Sequence, residues 1–325
     1  MRPPALKTLD LYDLNPPPAR FRDEVLAGLT RAPKEIPCKF FYDDRGSALF
    51  DEICTLDAYY PTRTEVGIMR RCLPDIAARL GRACLLVEYG SGSSTKTRLL
   101  LDRLPAPAGY MPIDISRDHL MRAAADLAMA YPDVEILPVC ADYTLPLHLP
   151  AWPRPVARRV VYYPGSTIGN FHPPEAEAFL RRMAGVAGPG GGLLIGVDLK
   201  KDRATLERAY DDDRGVTAAF NLNLLARINR EMGADFDLDG FEHRAPYNAA
   251  CGRIEMHLVS RRAQAVHFGD RVVTFTAGEP IVTEYSYKYG LAEFALLARR
   301  AGLTVDDTWT DARGWFSVQY LTARD

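Results

Sequence analysis

The stretch from Cys84 to Thr97 constrains this chain more than any other. Its first six residues, Cys84 to Tyr89, are mostly apolar without alternation, the pattern of a strand buried on both faces of a parallel sheet. The run breaks into Gly90-Ser91-Gly92, and a helical pattern follows at once. Glycine suits that place because a strand-to-helix turn needs unusual backbone angles and lets a bound group approach the main chain. Such a turn opens the nucleotide-binding unit of doubly wound α/β folds. A dinucleotide fingerprint would carry a third glycine near position 95, where this chain has Thr95. An ordinary strand-to-helix turn is the competing explanation, and the turn alone does not decide.

The next two strand ends sharpen the choice. Met111 to Asp114 reads as a strand ending in an acid about 24 residues past Gly90, where a carboxylate can accept both hydroxyls of a ribose. Val134 to Cys140 reads as a third strand closing on Ala141-Asp142-Tyr143, an acid for an adenine amino group beside a ring that can stack on the base. Either acid alone could be a helix N-cap, Asp114 before Ile115-Ser116 in particular. With Glu88, which makes acid-x-Gly-x-Gly, three successive strand ends point to S-adenosylmethionine (SAM). Its expected contacts are Glu88, Gly90, Gly92, Lys96, Asp114, Asp142 and Tyr143.

Bulk composition excludes several other classes. At 325 residues with formal net charge −2, nothing draws the chain to nucleic acid or an anionic membrane by field alone. No apolar run approaches the length that spans a bilayer, and Met1 to Lys7 has no apolar signal-peptide core. Six dispersed cysteines without a C-x-x-C pair read as reduced thiols of a cytoplasmic protein. Six histidines show no metal-binding spacing, so no metal is expected. Asp235, Asp237, Asp239 and Gly240 imitate half of a calcium loop, but Pro246 stands where its bidentate Glu belongs. The expected partner is a small molecule, and the expected state is a monomer.

Strands and helices alternate from residue 84 to 197: strands 84–89, 110–114, 134–140, 159–163 and 192–197, with helices 95–104, 117–130 and 174–187 between them. That rhythm predicts a doubly wound parallel sheet. Thr62-x-x-Glu65 reads as a capping box opening a helix to Leu80. After Lys200 a long helix is expected from Asp202 to Met232, then short antiparallel strands at 253–259, 271–275 and 281–286. Helix 291–301 and strands 303–308 and 315–322 return to the first pattern. The expected fold is α/β, a Rossmann-like class I SAM-methyltransferase with a seven-stranded doubly wound sheet and a second, α+β substrate domain. Residues 64–200 and 291–325 would form the SAM domain, and 1–63 with 201–290 the substrate domain. A Pro-rich tail, residues 1–18, would precede the first helix.

Six blocks carry more than a fold class: Lys39 to Ser47, Tyr59 to Glu65, Glu88 to Thr97, Pro164 to Phe171, Ala209 to Asp212, and Gly215 to Asn221. In this order, and over about residues 20–320, the chain closely resembles the L-histidine Nα-methyltransferases of ergothioneine biosynthesis. One departure is Ser93 to Thr97, where the family usually has T-S-E-K-T or similar. The resemblance implies threefold methylation of the histidine α-amine by SAM, giving the betaine hercynine. It implies that Asn170 and Tyr210 hold the histidine main chain with Tyr59 beside them, and that Glu284 and Ser286 grip the imidazole. Gly165 joins this substrate site. It sets Tyr42 and Phe50 around the amine, where aromatic faces favour positive charge, and the residues bearing on methyl transfer are Tyr42, Tyr59 and Asn170. Met256, on the neighbouring strand, is expected to wall the ring as an adaptable apolar side chain. Taken one at a time, these residues have simpler explanations: a turn asparagine, core aromatics, a solvent-facing strand glutamate. Three alternatives stay open: an enzyme for tryptophan or a derivative, a SAM-binding protein without turnover, and, disfavoured by Thr95, a nicotinamide dehydrogenase.

Overall fold

The computed structural model describes residues 9–14, 18–92 and 94–323. Most of the expected Pro-rich tail (1–8 and 15–17), Ser93 of the glycine loop and residues 324–325 lie outside the described residues. In chain order the elements are β1 Tyr12–Asp13, α1 Pro18–Leu29, β2 Lys34–Glu35, α2 Asp44–Ile53, α3 Tyr60–Leu80, β3 Cys84–Tyr89, α4 Thr95–Leu101, β4 Gly109–Asp114, α5 Arg117–Ala130 and β5 Val139–Cys140. There follow β6 Arg158–Tyr163, α6 Pro173–Ala187, β7 Gly192–Asp198, α7 Arg203–Tyr210, α8 Val216–Met232, β8 Phe241–Arg244, β9 Tyr247–Asn248, β10 Arg253–Ser260, β11 Gln264–Phe268, β12 Arg271–Phe275, β13 Pro280–Tyr287, α9 Leu291–Arg300, β14 Leu303–Thr310 and β15 Phe316–Ala323.

The large sheet runs β1-β5-β4-β3-β6-β7-β15-β14, parallel from β1 to β7 and antiparallel beyond it. Its growth reverses at β3, so the loops leaving β3 and β6 diverge at their C-terminal ends and open a crevice. Both faces are covered. Ile68, Met69, Leu100 and Leu127 of α3, α4 and α5 pack on one side, and Phe179, Met183, Phe294 and Leu297 of α6 and α9 on the other. This is the expected class I methyltransferase fold, with β1 added as an eighth strand at the edge. A two-residue strand leaves no pattern to read.

A second sheet, β2-β13-β10-β8 with β9 on β10, is antiparallel except where β2 joins β13. Its apolar face packs with α1, α2 and α8 through Val25, Phe41, Ile53, Phe220, Leu224, Ile254, Met256 and Ile281. Strand 271–275 is not part of it; as β12 it forms a separate hairpin with β11.

Three other expectations are corrected. The helix 202–232 is two helices, α7 and α8, broken at Asp211 to Gly215. There the Asp212 carboxylate caps α8, accepting from the backbone N–H of Val216 and Thr217 at 3.1 and 2.8 Å. Strand 134–140 is regular only as Val139–Cys140. Pro138 has no N–H to give, and the preceding residues pair irregularly through Tyr110. The capping box at Thr62 and Glu65 does not form: α3 starts at Tyr60, with Pro61 in its first turn, and Glu65 points inward. Among the described residues no helix is long and apolar enough to cross a membrane.

Candidate active site

The glycine turn ends β3 with Gly90 at φ +73°, its N–H donating to Ile113 O at 2.8 Å. That bond folds the turn over the end of β4, where Gly92 N–H donates to Asp114 Oδ2 at 3.2 Å and Ser116 N–H to Oδ1 at 2.9 Å. Burial raises the Asp114 pKa, and these backbone donors oppose the rise. Glu88 runs inward, accepting from Thr97 Oγ1 at 2.5 Å and from the Tyr110 hydroxyl, so it ties β3 to α4 and β4. Burial pushes its pKa up to about 7. Asp142 accepts from Lys39 Nζ at 2.7 Å, and Tyr143 stands edge-on to Tyr89. A cavity of about 520 Å³ joins all seven expected SAM contacts: Glu88, Gly90, Gly92, Lys96, Asp114, Asp142 and Tyr143.

The same cavity reaches Tyr42, Phe50, Tyr59, Gly165 and Asn170. Rings enclose this end: Tyr42 to Phe50 at 5.7 Å, Phe50 to Tyr59 at 6.2 Å, Tyr59 to Tyr210 at 6.0 Å, and Phe220 of α8 at 6.0 Å from Tyr42. Burial, with Glu284 adding to it, holds the Tyr42 and Tyr59 phenols well above their ordinary pKa, so both stay protonated. Cys38, pushed up to about 12 by burial and then Glu284, is no thiolate nucleophile. Asn170, on the turn after β6, also lines a second cavity of about 410 Å³, where Glu284 lies.

Tyr210, Ser286 and Met256 are not among the residues lining these two cavities; Tyr210 adjoins the first through the Tyr59 ring. Met256 is buried and paired across the sheet with Glu284. Tyr210 Oη and Ser286 Oγ are 2.8 Å apart, and the Lys288 ammonium donates to both. Glu284 keeps a partial opening, yet desolvation pushes its pKa up to about 7, with Lys288 pulling against it.

A pH dependence of stability follows from Glu284. Below about 4.5 its carboxyl is neutral in the folded and unfolded chains alike; between there and about 7 folding takes up a proton; above about 7 the folded protein carries a poorly solvated charge. Its penalty therefore grows through that window and then levels. Glu284→Gln is expected to raise Tm over wild type by an amount that increases from about pH 5 to pH 7.5. Melting curves at several pH values check this; a gain that is flat or falls with pH contradicts it.

Three buried groups were missed by sequence reasoning: Glu65, Asp198 and Lys288. Glu65 accepts from Lys96 Nζ at 2.6 Å and from Gly165 N–H at 2.9 Å, joining α3, α4 and the turn after β6. Gly196 leaves the room it fills, since a Cβ there would lie 2.1 Å from Glu65 Oε1. Asp198, at the end of β7, accepts from Tyr60 Oη at 2.7 Å, Lys201 Nζ at 2.6 Å and Lys288 Nζ at 2.8 Å. Lys288 had a signal: it continues the two-residue spacing of Glu284 and Ser286.

Comparison with known proteins identifies the family. Residues 21–323 match the family described as histidine-specific methyltransferase, SAM-dependent. The chain is 47% identical over 302 residues to a histidine N-alpha-methyltransferase of Mycolicibacterium smegmatis, covering 91% of this chain and 93% of the relative. It is 30% identical over 286 residues to ergothioneine biosynthesis protein 1 of Neurospora crassa, covering 86% of this chain and 32% of that one. An L-tryptophan methyltransferase of Psilocybe serbica is 27% identical over 350 residues, with 94% of this chain and 93% of the relative covered. The chain belongs to the SAM-dependent, histidine-specific methyltransferase family.

Proposed function

We propose that the protein transfers methyl groups from SAM to the α-amine of L-histidine, three times, giving hercynine as the first step of ergothioneine biosynthesis. One observation carries this: the SAM-type strand ends and the Tyr42–Phe50–Tyr59 ring enclosure share one cavity, and Asn170 links it to the cavity of Glu284. We assign residues 64–200 and 291–325 to SAM and 1–63 with 201–290 to histidine, apart from β1, which belongs to the large sheet. The six free cysteines fit a cytoplasmic enzyme.

The SAM contacts fit their group. Asp114 offers carboxylate oxygens to a ribose, and Tyr143 and Asp142 stand together at the next strand end for an adenine. Bound SAM supplies an electrophilic methyl on sulfur. The chain's own work is to orient and desolvate. Asn170 and Tyr210 hold the substrate carboxylate and amine, an amide and a phenol supplying both donors and acceptors. Orientation of a free lone pair toward the methyl is the main requirement of such a transfer. The ring faces of Tyr42, Phe50 and Tyr59 favour the cation that forms and leave room for a quaternary ammonium. Glu284 and Ser286 read the imidazole.

A tryptophan-type substrate is the second reading, raised by the Psilocybe relative. The carboxylate of Glu284 beside the hydroxyl of Ser286 is poor company for an indole ring. Mass spectrometry of histidine and of tryptophan, each incubated with enzyme and excess SAM, separates the readings: trimethylated histidine is expected, and an unaltered histidine alongside a methylated tryptophan overturns the histidine reading.

A further inference from the structure

Lys288 lies two residues beyond Ser286, and its side chain is fully buried. An ammonium carries three protons and accepts nothing. Each proton has an oxygen here: Asp198 Oδ2 at 2.8 Å, Ser286 Oγ at 2.8 Å and Tyr210 Oη at 2.9 Å. Both hydroxyls therefore accept from Lys288. They also lie 2.8 Å from each other, so one donates to the other. Of the two protons the hydroxyls own, one is held in their mutual bond. Among the hydrogen bonds of the described residues, neither hydroxyl has a further acceptor, so one proton remains for a ligand. Either hydroxyl can give it, but not both.

The charge that imposes this order is secure. Burial alone would lower the Lys288 pKa, but Asp198 and Tyr210 outweigh it and hold the ammonium above the ordinary lysine range. Lys201, brought down to about 8 chiefly by burial, is the lysine on Asp198 that loses its proton first. The other titratable groups facing the cluster are Tyr60 on Asp198, Tyr59 beside Tyr210, and Glu284.

We propose that Lys288 is a positioning residue that sets the hydrogen-bond polarity of the substrate site, with Tyr210 as the donor to the substrate carboxylate and Ser286 as an acceptor facing the imidazole. This rests on the histidine reading above. A carboxylate has no proton, so Tyr210 must give it the one that is free. Ser286 then donates to Tyr210 and meets the ring with a lone pair. The ring nitrogen facing Ser286 must carry hydrogen, and a second proton lies between the other nitrogen and Glu284. The site thus selects a ring with two polar nitrogens, which an indole or phenyl ring cannot offer.

Binding of histidine to the enzyme loaded with S-adenosylhomocysteine tests this by calorimetry. Lys288→Met should weaken histidine at least tenfold and leave S-adenosylhomocysteine within about twofold. In a Tyr210→Phe, Ser286→Ala background the same change should cost less than about twofold, because Lys288 acts through those hydroxyls. An undiminished loss in that background, or an equal loss of cofactor affinity, means a merely structural role and overturns the proposal. If Lys288→Met does not fold, nitrogen NMR of ring-labelled histidine bound to the wild type decides. The nitrogen whose signal moves in Ser286→Ala should be protonated from about pH 6.5 to 9, and a bare nitrogen there overturns the proposal. A wild type that binds no histidine at all sinks the substrate reading itself, whereas histidine bound with a bare nitrogen sinks this inference alone.

Discussion

Replacing Glu284 by Ala should lower kcat/KM for histidine by roughly two to four orders of magnitude, at or below the about 10⁴–10⁵ by which a site built to hydrogen-bond a polar group rejects an analogue lacking it. The carboxylate sits in a desolvated corner with a pKa near 7, where a polar ring left without its partner has no water to turn to. Tryptophan and phenylalanine never use that bond, so their smaller rates should fall little. Met256 pairs directly with Glu284 across β10 and β13, so Met256→Val added to Glu284→Ala enlarges the same corner. The double variant should prefer tryptophan over histidine. Measured kcat/KM for the three amino acids, in wild type and both variants, checks this. An unchanged histidine-to-tryptophan ratio in Glu284→Ala would put the ring pocket elsewhere.

Glu65→Ala should be the most damaging change away from the substrate. It leaves the Lys96 ammonium without its buried partner and frees the N–H of Gly165. Breaking a buried ion pair from one side costs about 3–5 kcal/mol of stability. The turn carrying Gly165 and Asn170 also loses its anchor to α3 and α4, so SAM and histidine affinity should both drop at least tenfold. Glu65→Gln keeps an acceptor for Gly165 but removes the charge opposite Lys96, and should fall between. Chemical denaturation and SAM titration measure the two losses. Wild-type stability in Glu65→Ala would mean that Lys96 is solvated without its partner.

These two residues mark where sequence reading worked and where it stopped. The cavity that gathers the expected SAM contacts was legible because its signals are local: a buried strand, a glycine turn, and acids at the next two strand ends. The family resemblance named Glu284 and Ser286, and the strand spacing put them on one face; Glu284 lines the second cavity, whereas Ser286 lines neither of the two. Glu65 was misread because Thr-x-x-Glu after Tyr59-Tyr60-Pro61 also makes a sound capping pattern. Its true partners, Lys96 and Gly165, are 31 and 100 residues away, so only the assembled sheet brings them to it. The break between α7 and α8 was hidden because Asp211 to Arg214 keeps the polar character of an exposed helix face, and only the Asp212 cap reveals the restart. Lys288 stood in plain register with Ser286, yet its meaning depends on Asp198 at the end of a strand in the other sheet.

The most direct measurement locates the methyl groups. Histidine labelled with nitrogen-15 at the α-amine, incubated with enzyme and SAM bearing a deuterated methyl, should give a product whose fragment spectrum places three labelled methyls on the α-nitrogen and none on the ring. A methyl on an imidazole nitrogen, or a product that stops at one methyl with SAM in excess, would contradict a ring held by Glu284 and Ser286 and an amine enclosed by Tyr42, Phe50 and Tyr59.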